Sequence, residues 1–297
     1  MRAKITRIRI WILVGALALM SHSAIAQTGG AKPASRTGND SSEAAANRAK
    51  VLRAAAVALG MLRWSDIGAG PVRLPAIDAV NTMEIRATGT IGQSTDAESH
   101  VALAYNPPAM RVEITRKGTA GAAQHTIQTV RDKYAWNDSE IGAGLVPGKG
   151  TATPAMADVQ GRLLQLWTLP YGVVKASLAA GDKTTVSTEN SQTVITFPLS
   201  GILAGVTVKA TLDSKNLVTK VETHSENPAL TNFVTEYSEY ADHGELLTDV
   251  MSPGHVVQKQ DGRLVLDLRI KMVDANNPYL VFPVPQSVKT AAASASK

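Results

Sequence analysis

Two hydrophobic periods divide this chain into helical and extended parts. In the first part, apolar residues recur at the spacing of one helix face, at Val51, Leu52, Ala55, Leu59 and Leu62. Asp40 and Glu43 have the spacing of a capping box just before them. We therefore expect a helix from about residue 41 to residue 62, ended by the glycines and proline of residues 68–71.

From Met83 onward the period changes to two, which is typical of strands with one buried face. The alternation is clearest over residues 83–91, 206–212 and 264–272, where Met272 continues the apolar row. Turn signals separate these runs, among them a hairpin signal at residues 261–262. The pattern predicts an antiparallel sheet with one solvated face, and hence an α+β fold.

A helical insert interrupts the predicted strands. The Gly/Pro/Ala-rich loop of residues 141–153 precedes it, and Thr153 and Pro154 have the types expected of an N-cap and a first-turn residue. Pro170 is expected to end this helix, and a second short helix is predicted over residues 171–180. The insert is rich in large apolar side chains, so it is the part of the chain best suited to fill or line an interior space.

The first 26 residues have the organisation of an export signal. Four basic side chains precede the apolar run of residues 10–20, and residues 24–26 form a small-x-small cleavage site. The run is too short to span a bilayer, and a buried amphipathic helix is the alternative reading. We expect a signal peptide over residues 1–26, a disordered linker over residues 27–40, and export to the periplasm or beyond it, with the periplasm favoured.

The charge composition of the predicted mature chain limits the classes of partner that it is expected to bind. Four of the 30 basic residues lie in the leader, which leaves 26 against 25 acidic residues. Nucleic acids and anionic membranes need clustered basic side chains, so neither is expected as a partner. The sequence contains no cysteine, so we expect no thiol nucleophile, no cysteine metal site and no lipid anchor at the mature N-terminus.

No recognisable catalytic or metal motif is present in the sequence. Residues 144–151 resemble a phosphate-binding loop, but Ala143 stands where its first glycine is required and Gly150 separates Lys149 from Thr151. Glu222 and His224 share a strand face, yet a metal needs three or four converging ligands. We therefore predict a protein that is not an enzyme, with no catalytic residue, metal or cofactor.

The closing segments carry a family resemblance. Residues 233–244 resemble a strand followed by an Asp-x-Gly turn, and residues 264–270 and 282–285 resemble a last strand and its exit. With the order of elements, these segments resemble the LolA/LolB lipoprotein-carrier fold and the wider outer-membrane lipoprotein-sorting-like proteins, over about residues 47–285. Residues 247–249 depart from it, because such proteins often place a proline there.

The resemblance implies an antiparallel half-open β-barrel with an N-terminal helix and a helical insert that plugs its concave face. It also implies an apolar cavity between the helices and the strands. No residue of this chain matches a family site securely, so none is carried over. We expect one such domain over residues 41–288 and a disordered tail over residues 289–297.

The insert supplies the candidate ligand-binding residues, which are Leu163, Leu166, Trp167, Tyr171, Val174 and Leu178. They would either line a cavity or simply form core, and the loop of residues 141–153 is either a lid or a passive connection. The predicted function is an exported, non-catalytic carrier for a lipid, acyl chain or lipoprotein. The alternative is an interaction module whose filled barrel docks another envelope protein, and an enzyme is the third reading.

Overall fold

The computed structural model describes residues 37–61, 80–117, 123–228, 230–243 and 250–295. The predicted signal peptide, residues 27–36 of the predicted linker and the predicted helix break at residues 68–71 lie outside the described residues. The linker prediction is wrong over residues 37–40, which belong to a helix. The described helices are α1 (Thr37–Ala58), α2 (Val159–Thr168), α3 (Pro170–Ala179) and α4 (Gln286–Ala295). None of these described helices combines the length and the hydropathy needed to cross a membrane.

The structure describes fifteen strands. In chain order they are β1 (Thr82–Ile91), β2 (Ser94–Tyr105), β3 (Pro108–Lys117), β4 (Ala123–Arg131), β5 (Tyr134–Asp138), β6 (Ala152–Pro154), β7 (Thr185–Glu189), β8 (Gln192–Pro198), β9 (Val206–Leu212), β10 (Val218–Ser225), β11 (Phe233–Ser238), β12 (Ala241–Asp242), β13 (Met251–Ser252), β14 (His255–Gln260) and β15 (Arg263–Ala275).

Thirteen of these strands form one antiparallel sheet, in the order β6-β5-β4-β3-β2-β1-β15-β14-β11-β10-β9-β8-β7. Two runs of sequential hairpins make up its halves, and the pairing of β1 with β15 joins them at the centre. The strands β12 and β13 pair separately. The α+β class predicted from the sequence is thereby confirmed.

The sheet has an inner face, which carries Met83, Leu103 and Val208, each fully buried. Alternation predicted this face in β1 and β9. In β15 the row changes, because the register with β1 shifts where Arg86 pairs with Met272 and the next residue, Ala87, pairs with Ile270. The extra residue reverses the side-chain order, so Val273 and not Met272 continues the inner row.

The helices α2 and α3 pack on the inner face and form one hydrophobic core with it. Gly172 permits their close approach, because a Cβ there would lie 2.5 Å from the Leu166 carbonyl oxygen. The predicted start of α2 is wrong. Thr153 and Pro154 pair with β5 as part of β6, and a short 3-10 turn (Met156–Asp158) precedes the helix.

The C-terminal region also differs from the expectation. Residues 289–295 belong to α4, so the predicted disordered tail is wrong over that stretch. Val288 is fully buried against Trp136 and Ala152, which anchors a helix otherwise rich in alanine, the best helix former. Ahead of α4, Phe282 packs on the outer face of the sheet against small side chains of β2 and β3.

Candidate ligand cavity

A cavity of about 330 Å³ lies between the inner face of the sheet and the corner where α2 meets α3. We call it the apolar cavity. Its sheet wall comes mainly from β1, β2, β3, β14 and β15, and its helical wall is the corner at residues 168–171. The volume falls within the range of roughly 300–1,000 Å³ that is typical of small-molecule pockets.

The helical corner is fixed by local sequence and by two buried phenols. Leu169 is extended, as a residue before proline prefers, and Pro170 then opens α3 at its first position. The Tyr237 hydroxyl donates to the Thr168 carbonyl at 2.9 Å, and the Tyr171 hydroxyl donates to the Met251 carbonyl at 2.6 Å. Burial raises the pKa of both tyrosines, which keeps them neutral and able to donate.

The wall of the apolar cavity is mainly aliphatic. Its large apolar strand residues include Ile85, Ile91, Val101, Val112, Ile114, Val256, Leu266, Leu268 and Ile270. Most of them are only half-buried although they belong to the inner face, because α2 and α3 do not cover them. None of the described residues that line the cavity carries a formal charge. The site can therefore remove an apolar group from water. The polar groups that its side chains offer are the hydroxyls of serine and threonine, the phenols of tyrosine and the amides of glutamine.

A second space adjoins the apolar cavity. This polar pocket, about 280 Å³ in volume, lies beside the first turns of α2. Gln128, Gln165 and Gln260 line both spaces and so mark the boundary between them. A fourth glutamine of the apolar cavity, Gln258, donates to the Thr235 hydroxyl at 3.0 Å.

Arg162 is the buried charged group of the polar pocket. Its guanidinium donates to the carbonyl oxygens of Thr129 at 3.0 Å and Trp136 at 2.6 Å. It also donates to Asn137 Oδ1 and Asp158 Oδ2, both at 2.7 Å. Burial lowers the pKa of Arg162, and the hydrogen bond to Asp158 opposes that shift. The arginine thus ties α2 to β4 and β5; sequence reasoning missed it, although its i,i+4 spacing from Asp158 was a usable signal.

The structure places one of the six predicted site residues on the cavity wall. Tyr171 lines the apolar cavity. The other five lie in or against the main core and not among the lining residues: Leu163, Leu166 and Val174 are buried, and Trp167 and Leu178 are partly buried. They pack in the core, where α2 contacts α3 and β3, and α3 contacts α1 and β8. The Trp167 ring lies 5.7 Å from the ring of Tyr105 on β2. The binding role of Tyr171 stays a prediction.

The loop of residues 141–153 does not cover the apolar cavity. Ile141 and Leu145 line a separate pocket of about 230 Å³ on the outer face, together with residues 279–283. Of the two alternatives for this loop, the lid over the ligand site is therefore wrong, since none of its residues lines the apolar cavity. Within this outer pocket, burial raises the pKa of Asp138, while hydrogen bonds from the Thr129 hydroxyl and the Trp136 indole, each at 3.0 Å, oppose the shift.

Other polar clusters lie away from the apolar cavity. His255 Nε2 is 2.7 Å from Asp267 Oδ1, but this pair lies on the outer face, since its neighbour Val256 points into the cavity. Among the described residues, no group of histidine, aspartate and glutamate side chains is arranged to hold a metal ion. The sequence matches no protein-family model, and a search of curated proteins finds no match either. The function is therefore inferred from the cavity itself.

Proposed function

We propose that this protein is an exported, non-catalytic carrier that binds an apolar ligand, such as the acyl chain of a lipid or lipoprotein, in the apolar cavity. The observation that supports this function is a cavity of about 330 Å³ with aliphatic walls and no charged lining residue. Each methylene moved out of water contributes about 0.8 kcal/mol, so burying most of a long acyl chain is worth roughly 10 kcal/mol. Such binding needs no covalent step.

The lining of the polar pocket supports the half-open barrel that the LolA/LolB resemblance implies. Gln128 on β4 and Gln260 on β14 both line it, although four strands separate β4 from β14 in the sheet. In a flat sheet, with neighbouring strands about 4.8 Å apart, these two strands would lie roughly 24 Å from each other. We therefore infer that the sheet curls around α2 and α3, with the insert on its concave face.

We propose that the carrier works in the periplasm, after removal of the predicted signal peptide. An apolar ligand would leave its donor, lie against the aliphatic wall of the sheet, and pass to an envelope protein that accepts it. The corner at residues 168–171 is the wall that faces the sheet across the ligand. Displacement of this corner would open the site, and the hydrogen bonds of Tyr171 and Tyr237 would close it again.

A second function, docking of another envelope protein, is favoured by a different surface. Tyr279 and Val281 are 87% and 68% exposed, and Val146 is 57% exposed. Tyr279 and Val281 border the outer pocket, and Val146 belongs to the loop beside it. Exposed large apolar side chains that cluster mark interaction surfaces. Docking at this outer face does not compete with a ligand on the inner face.

The carrier function is tested with a matched pair of isoleucine substitutions. Ile114 lines the apolar cavity, whereas Ile141 is exposed on the outer face. We expect Ile114→Lys to weaken binding of a palmitoyl ligand by about ten-fold or more, because a charge in the cavity loses hydration. Ile141→Lys should leave the affinity unchanged. Binding is measured by native mass spectrometry and by displacement of a fluorescent apolar probe.

The controls separate a lost site from a lost fold. Far-UV circular dichroism should show the same spectrum for both lysine variants. If Ile114→Lys does not fold, Val112→Phe tests the same cavity by volume, since Val112 also lines it. Equal affinities for the cavity variant and the outer-face variant would refute the assignment, as would a wild-type protein that binds no palmitoyl compound.

A further inference from the structure

Three glutamines stand where the apolar cavity meets the polar pocket. Gln128, Gln165 and Gln260 come from β4, α2 and β14, and each lines both spaces. Gln128 and Gln165 are exposed and Gln260 is half-buried. Unlike Gln258, none of the three makes a side-chain hydrogen bond to another residue in the part of the chain that the structure describes. Three amides are thus available at the boundary between an apolar and a polar space.

The charges of the polar pocket are already neutralised. Asp158 and Arg162 are the charged residues that line it, and they pair at 2.7 Å. The remaining guanidinium hydrogen bonds go to backbone carbonyls of β4 and β5 and to Asn137. A ligand carrying a phosphate, carboxylate or ammonium group would therefore lose hydration there without meeting a free opposite charge.

We propose that the apolar cavity and the polar pocket together bind a single-chain amphiphile with an uncharged head, whose hydroxyl, ester or amide groups lie among the three glutamines. This inference rests on the proposed carrier function and names the class of its ligand. A primary amide offers two N–H donors and one carbonyl acceptor. Three such groups match a head that both donates and accepts, and the aliphatic wall of the sheet takes the chain. Spaces of about 330 and 280 Å³ provide for the two parts separately.

The test uses probes that share one palmitoyl chain and differ in the head. They are 1-monopalmitoylglycerol, palmitate and palmitoyl lysophosphatidylglycerol, with hexadecane as the compound without a head. Affinities for the wild-type protein are measured below the micelle concentration, at a pH where palmitate is ionised. We expect the uncharged glycerol ester to bind at least about ten-fold more tightly than either anionic probe, as two or three added hydrogen bonds allow.

The variants assign this preference to the glutamines. The combined change Gln128→Leu, Gln165→Leu and Gln260→Leu keeps side-chain size and removes all three amides. The triple variant should bind 1-monopalmitoylglycerol no more than about threefold more tightly than the anionic probes, and it should still bind hexadecane. Gln192→Leu, at an exposed position on β8 that lines neither space, is the control and should keep the preference. If the triple variant does not fold, Gln165→Leu on the exposed surface of α2 should show part of the same loss.

The outcomes are distinguishable from a failure of the carrier function. Failure of every probe to bind, hexadecane included, overturns the carrier function and this inference together. Binding of all probes without preference, or preference for an anionic head, leaves the carrier and overturns the uncharged-head inference. A triple variant that keeps the wild-type preference overturns the role of the glutamines.

Discussion

Two leucines mark where the core ends and the apolar cavity begins. Leu166 on α2 is fully buried in the main core, whereas Leu266 on β15 is half-buried and lines the cavity. Replacing leucine by alanine removes three carbon atoms, worth about 2.4 kcal/mol at 0.8 kcal/mol each when burial is complete. At Leu166 the neighbours are closed around the side chain, so the new void raises the cost to about 3–5 kcal/mol. At Leu266 the space already exists and burial is partial, so about 1 kcal/mol is expected.

Urea unfolding monitored by far-UV circular dichroism measures the two costs. We expect Leu166→Ala to lower the free energy of unfolding by about 3–5 kcal/mol and Leu266→Ala by about 1 kcal/mol, with unchanged m-values. An equal or larger cost at Leu266 would show that the sheet wall is closed core and would refute the reasoning. Conversely, a palmitoyl ligand should bind more weakly to Leu266→Ala than to Leu166→Ala, since only Leu266 belongs to the cavity wall.

Two further predictions concern the helical corner and the outer pocket. Gly172→Ala should destabilise the protein by about 2 kcal/mol or more, because the new Cβ lies 2.5 Å from the Leu166 carbonyl oxygen. A Cβ at Gly161 would have no neighbour within 4 Å, so Gly161→Ala should stabilise the protein by about 0.5–1 kcal/mol. Urea titrations in which both substitutions change the free energy of unfolding in the same direction would contradict this. The raised pKa of Asp138 means that the folded state binds the carboxyl proton more tightly than the unfolded state, so this contribution to stability is lost as pH rises through the folded pKa. Asp138→Asn should remove that loss. The free energy of unfolding of the variant, relative to that of the wild type, should therefore increase with pH across the acidic range. A difference that does not change with pH would contradict this prediction.

The sequence alone determined the class of elements and most of their faces. Alternation placed Met83, Val208 and Ala210 on a buried face, and the structure confirms all three. Pro170 divided the insert into two helices at the predicted position. These features are local, because a strand or a helix face follows from the spacing of apolar residues and from what proline does to its neighbours.

Long-range pairing determined what the local pattern missed. Thr153 and Pro154 have the types of a helix start, yet pairing with β5 makes them a strand. The alanine-rich C-terminus reads as a tail, yet contact of Val288 with Trp136 and Ala152 makes it a helix. In both cases a partner distant in sequence outweighs a weak local preference.

The ligand site was decided almost entirely by tertiary structure. Alternation indicated that Ile85, Leu266 and Leu268 face inward, but periodicity reports only which way a side chain points and not what lies opposite it. The large apolar side chains of the insert drew attention to Leu166 and its neighbours, which pack against helices and become core. The strand residues beside them remain uncovered, because two short helices are too small to cover the inner face of a sheet of 13 strands. The sequence determined that the protein has an apolar interior. Where that interior stays open was decided by how much of the inner face of the sheet the helices cover.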